Sequence, residues 1–128
     1  MNVQRHVVEG LPRPDGAFVH AVVHGGLVYC AGQVGNHPVT GELLGGVEAQ
    51  TRQALENLST VLRAVGSDVS NVIQARVFLR NFGDFEVMDR VFRAFFGDVL
   101  PARTTVPCSG YPEGLEIEID LIAAVGND

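Results

Sequence analysis

The chain predicts an α+β domain built on one sheet with two helices. Three observations carry this. Segments that alternate with period two lie near both ends and in the middle of the chain. Two segments with helical spacing separate them. Glycine and proline punctuate the boundaries between them. The order is strands, helix, strand, helix, strands, which suits two helices covering one face of a largely antiparallel or mixed sheet. The other face must then meet water or another subunit.

Val3 to Val8 is a short strand candidate, and Leu11 to Gly16 is a loop by its proline and glycine content. Phe18 to His24 and Leu27 to Ala31 read as strands joined at Gly25-Gly26, a tight hairpin. Gly35 to Gly46 is a loop. Val47 to Val65 predicts the first helix: Val47, Ala54, Leu55, Leu58, Val61, Leu62 and Val65 form one apolar stripe, and Gly66 can stop it. Val72 to Arg80 alternates, with Ile73, Ala75, Val77 and Leu79 on one face and Gln74, Arg76, Phe78 and Arg80 on the other.

Asp84 is placed to cap a second helix that buries Phe85, Met88, Val91, Phe92, Phe95 and Phe96 and ends at Gly97. Arg103 to Ser109 is a strand, followed by a turn through Gly110 to Gly114. Leu115 to Val125 is the last strand, and this final pair suits a hairpin.

With 128 residues the chain suits one domain, residues 1–128, and 46% apolar residues are enough for a core. No apolar run reaches the ~20 residues of a transmembrane helix. The N-terminus lacks a basic segment leading into an apolar one. A soluble, cytoplasmic protein without a membrane partner is expected.

The net charge is -6, and all nine basic residues are arginine. Without lysine, no side chain can form a Schiff base with a carbonyl substrate or pyridoxal phosphate. The acidic balance argues against broad binding of a phosphate backbone, so no nucleic-acid partner is expected. Cys30 and Cys108 stand alone, with no Cys or His at zinc spacing, and read as reduced thiols. His20 and His24 would share one strand face at ~13 Å, too far for one metal. They read as surface or interface histidines. No phosphate-binding, zinc-protease or nucleophile-elbow motif is present.

Two residues suggest chemistry. Arg103 follows Pro101 into its strand and shares a face with Thr105. A guanidinium beside a hydroxyl suits a carboxylate, which arginine grips through two parallel hydrogen bonds. In the last strand Glu116, Glu118 and Asp120 share a face, each ~6.6 Å from the next. Such a row is a solvated face unless one acid lines a polar pocket with an arginine close by. Arg103 alone reads equally as a surface arginine or the ion-pair partner of one of these acids. Arg103 and Glu118 together suggest a small site that binds an organic acid and activates a water on it.

The chain also resembles a known family. Ala31-Gly32-Gln33-Val34, Thr40-Gly41-Glu42, the helix segment from Gln50 to Leu58, Phe95-Phe96, Pro101-Ala102-Arg103 and Ile117-Glu118-Ile119 are similar, in order, to the motifs of the reactive intermediate deaminase (YjgF) family. The resemblance covers nearly the whole chain. It implies a chorismate-mutase-like fold, a homotrimer and active sites in clefts between subunits. It also implies hydrolysis, with no metal and no organic cofactor, of reactive enamines and imines. These are 2-imino acids such as 2-iminopropanoate, with 2-aminoacrylate as the enamine, and they give a 2-keto acid and ammonia. Arg103 would clamp the substrate carboxylate, Glu118 would orient or activate the water, and Gly32 would offer its backbone.

Four positions depart from the family's usual residues. Phe18 stands where a tyrosine is usual, Ala31 where a serine is common, Thr105 where a cysteine is common and Asp89 where an asparagine is frequent. They imply a pocket that is less polar at one end, with its grip intact. The alternatives are a non-catalytic trimer that binds a small carboxylate, or a deaminase of a larger unsaturated amino acid. Some relatives are labelled ribonucleases or translation inhibitors, a reading the charge opposes.

Overall fold

The computed structural model describes residues 2–126. Its elements are β1 (Gln4–His6), β2 (Ala21–His24), β3 (Leu27–Val34), α1 (Val47–Ala64), β4 (Val72–Leu79), α2 (Phe85–Phe96), β5 (Ala102–Pro107) and β6 (Ile117–Ala124). Short 3₁₀ turns, Val69–Asn71 and Phe82–Asp84, precede β4 and α2. All six strands form one sheet in the order β1-β2-β3-β6-β4-β5. Every neighbouring pair is antiparallel except β4 and β5, which are parallel.

This order corrects the expected final hairpin. β5 does not pair with β6; it lies outside β4, and β6 inserts between β3 and β4. The connection from β4 to β5 runs through α2, and a crossover helix delivers a parallel neighbour. β6 takes the centre because Ile117, Ile119, Leu121 and Ala123 are all buried on one face.

The β2–β3 hairpin forms as expected. His24 pairs with Leu27 across Gly25 and Gly26, whose φ angles of 62° and 81° are those of a tight turn that glycine adopts freely. β2 starts later than predicted. The Phe18 N–H closes a tight turn on the Gly16 carbonyl, so Phe18 and Val19 bend the chain before the strand. His20 corrects the surface reading: it is 2% exposed. Its Nδ1 accepts from the Val8 N–H at 2.8 Å, which leaves Nε2 as the donor to the Pro12 carbonyl at 3.1 Å. The histidine ties the N-terminal loop to the sheet.

α1 and α2 cover one face. Ala54, Leu55, Leu58, Val61 and Leu62 are fully buried, together with Met88 and Phe92 of α2 and Val77, Leu79, Ile117 and Ile119 of the sheet. α1 ends as the sequence predicts. Gly66 has φ 86°, its N–H bonds the Arg63 carbonyl, and the Ser67 N–H bonds the Leu62 carbonyl, a Schellman closure.

Asp84 stands at the start of α2 but makes no side-chain cap bond. It is the last residue of a 3₁₀ turn, so its backbone lacks the extended shape that turns a cap side chain back onto the helix. Phe85 and Phe95 are half-buried, because they lie at the edges of the stripe. Ile73 is exposed, against the alternation, because the β4–β6 register slips between Val72 and Gln74.

The other face of the sheet carries Tyr29, Gln74, Arg76, Phe78, Glu118, Asp120 and Ile122, and among the described residues no helix covers it. Part of the acidic row is paired there: Arg76 donates two hydrogen bonds to Asp120, at 3.0 and 2.7 Å. Among the described residues, no helix is long and apolar enough to cross a membrane. Cys30 and Cys108 are both free.

Candidate functional site

The predicted site residues fall into two groups. The first sits where β3 meets β6. The pairing slips between Cys30 and Gln33, so Ala31 and Gly32 form a bulge. A Cβ on Gly32 would collide with the Oε2 of Glu118, so only glycine lets the carboxylate lie against the backbone. Glu118, Gly32 and Phe18 line one cavity of about 470 Å³, along with Arg13 and Leu115. Phe18 is 48% exposed at its rim. Ala31 leads into the bulge, and its N–H is spent on the His20 carbonyl at 2.9 Å.

Tyr111, which no sequence pattern marks, joins the glutamate. Its hydroxyl donates to the Oε1 of Glu118 at 2.9 Å. Burial pushes the phenol well above the ordinary tyrosine range, and the Glu118 carboxylate adds to the shift. The loop that carries Tyr111 is pinned from two sides. Arg80 donates to the carbonyls of Tyr111, Pro112 and Leu115 at 3.0, 2.6 and 3.1 Å. Gln50 donates to the Gly114 carbonyl at 2.7 Å and accepts from the Glu116 N–H at 2.8 Å. The only signal in the sequence was a tyrosine in a turn seven residues before the acid.

The second group lies under α2. Arg103 Nη1 stands 2.9 Å from Asp89 Oδ1. The guanidinium also stacks on Phe92 and Phe85, 4.8 and 5.4 Å from their ring centres. Asp89, Phe92, Leu100, Pro101 and Arg103 line a cavity of about 180 Å³. Thr105 follows on the same strand face, opposite Val77.

The register places Arg103 and Glu118 on different sides of the sheet within one subunit. Arg103 pairs with Ala75, a core residue of the helix face. Glu118 pairs with Phe78, on the uncovered face. Residues directly opposite share a face, so the two side chains leave the sheet in opposite directions. Arg103 instead takes Asp89 as its ion-pair partner. Among the described residues, no group of three or more His, Cys, Asp or Glu side chains is placed to hold a metal ion.

What the arrangement offers is therefore divided. One side has a carboxylate at the wall of a roomy notch, with one oxygen held by Tyr111 and the other against the Gly32 backbone. The other side has a partly exposed guanidinium able to grip an acid.

Known proteins share this fold and resemble this sequence. The family model described as Endoribonuclease L-PSP matches residues 9–125. A rat protein named 2-iminobutanoate/2-iminopropanoate deaminase is 37% identical over 116 residues, covering 90% of this chain and 85% of the relative. The crystal structure of RidA from an Antarctic Psychrobacter superposes with a TM-score of 0.90 at 34% identity, over 95% of this chain and 99% of that one. E. coli TdcF, solved with bound serine, gives a TM-score of 0.86 at 30% identity, over 94% and 98%. The mixed sheet with two helices on one face is thus the architecture of these structures. On fold, motifs and sequence together, the chain belongs to the reactive intermediate deaminase (YjgF) family, the family of the Endoribonuclease L-PSP model.

Proposed function

We propose that this protein is a cofactor-free hydrolase that deaminates small 2-imino acids in the cytoplasm, giving a 2-keto acid and ammonia. The observation that carries the reading is Glu118: Tyr111 holds its Oε1, and its Oε2 lies against Gly32 at the wall of a cavity. In this reading Glu118 takes a proton from water as the oxygen adds to the imine carbon. Glu118 returns that proton to the nitrogen, giving a carbinolamine; it then takes the hydroxyl proton and passes it to the amino group as the C–N bond breaks, so that ammonia leaves and the carbonyl forms. An imine is already electrophilic, so the site mainly positions groups and handles protons.

Arg103 clamps the substrate carboxylate, and it comes from a neighbouring copy. The protein works as a homotrimer with sites between subunits, and the uncovered sheet face meets the next copy. The exposed Tyr29 and Val106 on that face support this. Asp89 and Thr105 line the arginine side of the cleft, while Phe18, Ala31 and Gly32 line the glutamate side. The names of the rat deaminase and the serine-bound relative favour an amino-acid-sized substrate. The -6 charge favours a small acid over RNA.

The test generates a 2-imino acid in situ and follows 2-keto acid release. Wild type should accelerate release over water, and Arg103→Ala should lose about 10²-fold, the scale of a lost positioning contact. Equal rates with and without the protein would overturn the reading. One observation favours a second reading, a trimer that binds a 2-keto acid without turnover: Asp89 already satisfies Arg103. Calorimetric binding of a 2-keto acid with no turnover of any imine would select it.

A further inference from the structure

We propose that Tyr111 is a positioning residue for this reaction, holding one oxygen of Glu118 so that the other is the one that takes the proton from water. The inference rests on the deaminase reading above.

An ionised carboxylate has two equivalent oxygens and turns about a broad terminal torsion. Here the two oxygens are made different. Oε1 accepts from the Tyr111 hydroxyl at 2.9 Å, while Oε2 lies over Gly32, which has no side chain to displace it. The carboxylate plane is thus set by one hydrogen bond and one close backbone approach. A hydroxyl steers in this way only if it is itself fixed, and the Tyr111 loop meets that condition. Arg80 reaches three of its carbonyls, and Gln50 bridges Gly114 and Glu116. Gln50 is 1% exposed and anchored in α1, and Arg80 follows directly after β4, so the loop is tied to the two-layer core.

Tyr111 is also the one tyrosine available for this task. The chain has two tyrosines, and Tyr29 lines a different cavity with Arg76 and Asp120. On the rim of the Glu118 cavity stands Phe18, which has no hydroxyl. The phenol that orients the acid therefore comes from the loop before β6 and not from the segment before β2.

The test compares wild type, Tyr111→Phe, Glu118→Gln and the double variant on an in situ 2-imino acid. Tyr111→Phe should lower kcat about tenfold and leave KM within about twofold, because it misplaces the base without touching the substrate. In the Glu118→Gln background the same change should cost nothing further, since Tyr111 acts only through Glu118. A wild-type kcat in Tyr111→Phe, or losses that multiply in the double variant, would overturn the proposal. Absence of turnover in wild type would instead sink the deaminase reading.

A measurement independent of activity guards against a variant that fails to fold. The chain has no tryptophan, so in Tyr29→Phe the emission comes from Tyr111 alone. A phenol bonded to a carboxylate is quenched. Adding Glu118→Gln should brighten it, and unchanged emission would show that the bond is not made in solution, ending the proposal.

Discussion

Arg103 and Glu118 leave the same sheet from opposite faces. Arg103 lies opposite Ala75 on the helix side, and Glu118 opposite Phe78 on the uncovered side. One subunit cannot bring them onto a three-carbon substrate. If both serve one reaction, the site is shared between copies, and each copy supplies an arginine to one site and a glutamate to another.

Complementation tests that sharing. Arg103→Ala and Glu118→Ala should each be inactive alone. Unfolded together and refolded as randomly mixed oligomers, they should recover about a quarter of wild-type activity per site, because a random half of each residue is intact. No recovery, in mixtures shown to contain both chains, would remove at least one of the two residues from the chemistry.

Asp89 should compete with the substrate. Its carboxylate, about a third exposed, lies 2.9 Å from the mostly covered Arg103 guanidinium. A pair of this exposure is worth about 0.2–1 kcal/mol. Asp89→Asn should therefore lower the KM for a 2-imino acid by about 1.4- to fivefold, and tighten 2-keto acid binding by a similar factor in calorimetry. Weaker binding would mean that Asp89 orients the guanidinium instead of blocking it.

Two glycines of one strand end should separate function from stability. In Gly32→Ala the new methyl meets the movable end of the Glu118 side chain. The fold should survive, with melting within a few degrees of wild type, while kcat falls at least about tenfold. In Gly35→Ala the methyl meets the backbone of Gln50, so α1 itself must shift. That change should cost about 1–3 kcal/mol, visible as a lower denaturant midpoint.

Cys30 should make the fold sensitive to alkali. Burial, with the Asp120 carboxylate adding, pushes its thiol from an ordinary 9.0 up to about 12. The folded state therefore keeps a proton that the unfolded state loses. The contribution is complete below pH 9 and is lost between pH 9 and 12, at up to about 1.4 kcal/mol per pH unit. Tyr111, also raised, acts in the same direction. The readout is thus the difference in slope between wild type and Cys30→Ala in denaturant titrations above pH 9. Parallel slopes would show that the thiol ionises freely in the fold.

The readable parts of the fold are those decided by neighbours in sequence. The Gly25-Gly26 turn, the α1 stripe and its Gly66 stop, and the alternation from Ile117 to Ala123 each depend on a few adjacent residues. The misread parts depend on distant ones. Ile73 is turned outward by a register slip against β6. His20 is buried because Val8 and Pro12 close over it. Tyr111 gains its role from a partner on β6 and from anchors on α1 and beside β4, and no local pattern announces those contacts.

The sequence alone determined the two helices, the strands and the candidate residues Arg103, Glu118 and Gly32, because period, turn chemistry and motif are local properties of the chain. Only the tertiary structure decided that β6 enters the middle of the sheet and β5 its edge. That choice sets which face each side chain leaves by. It rests on long-range pairing, where a crossover helix delivers β5 parallel to β4 and the apolar face of β6 is buried best at the centre. The same choice separates the arginine from the glutamate and brings Tyr111 to the glutamate's side.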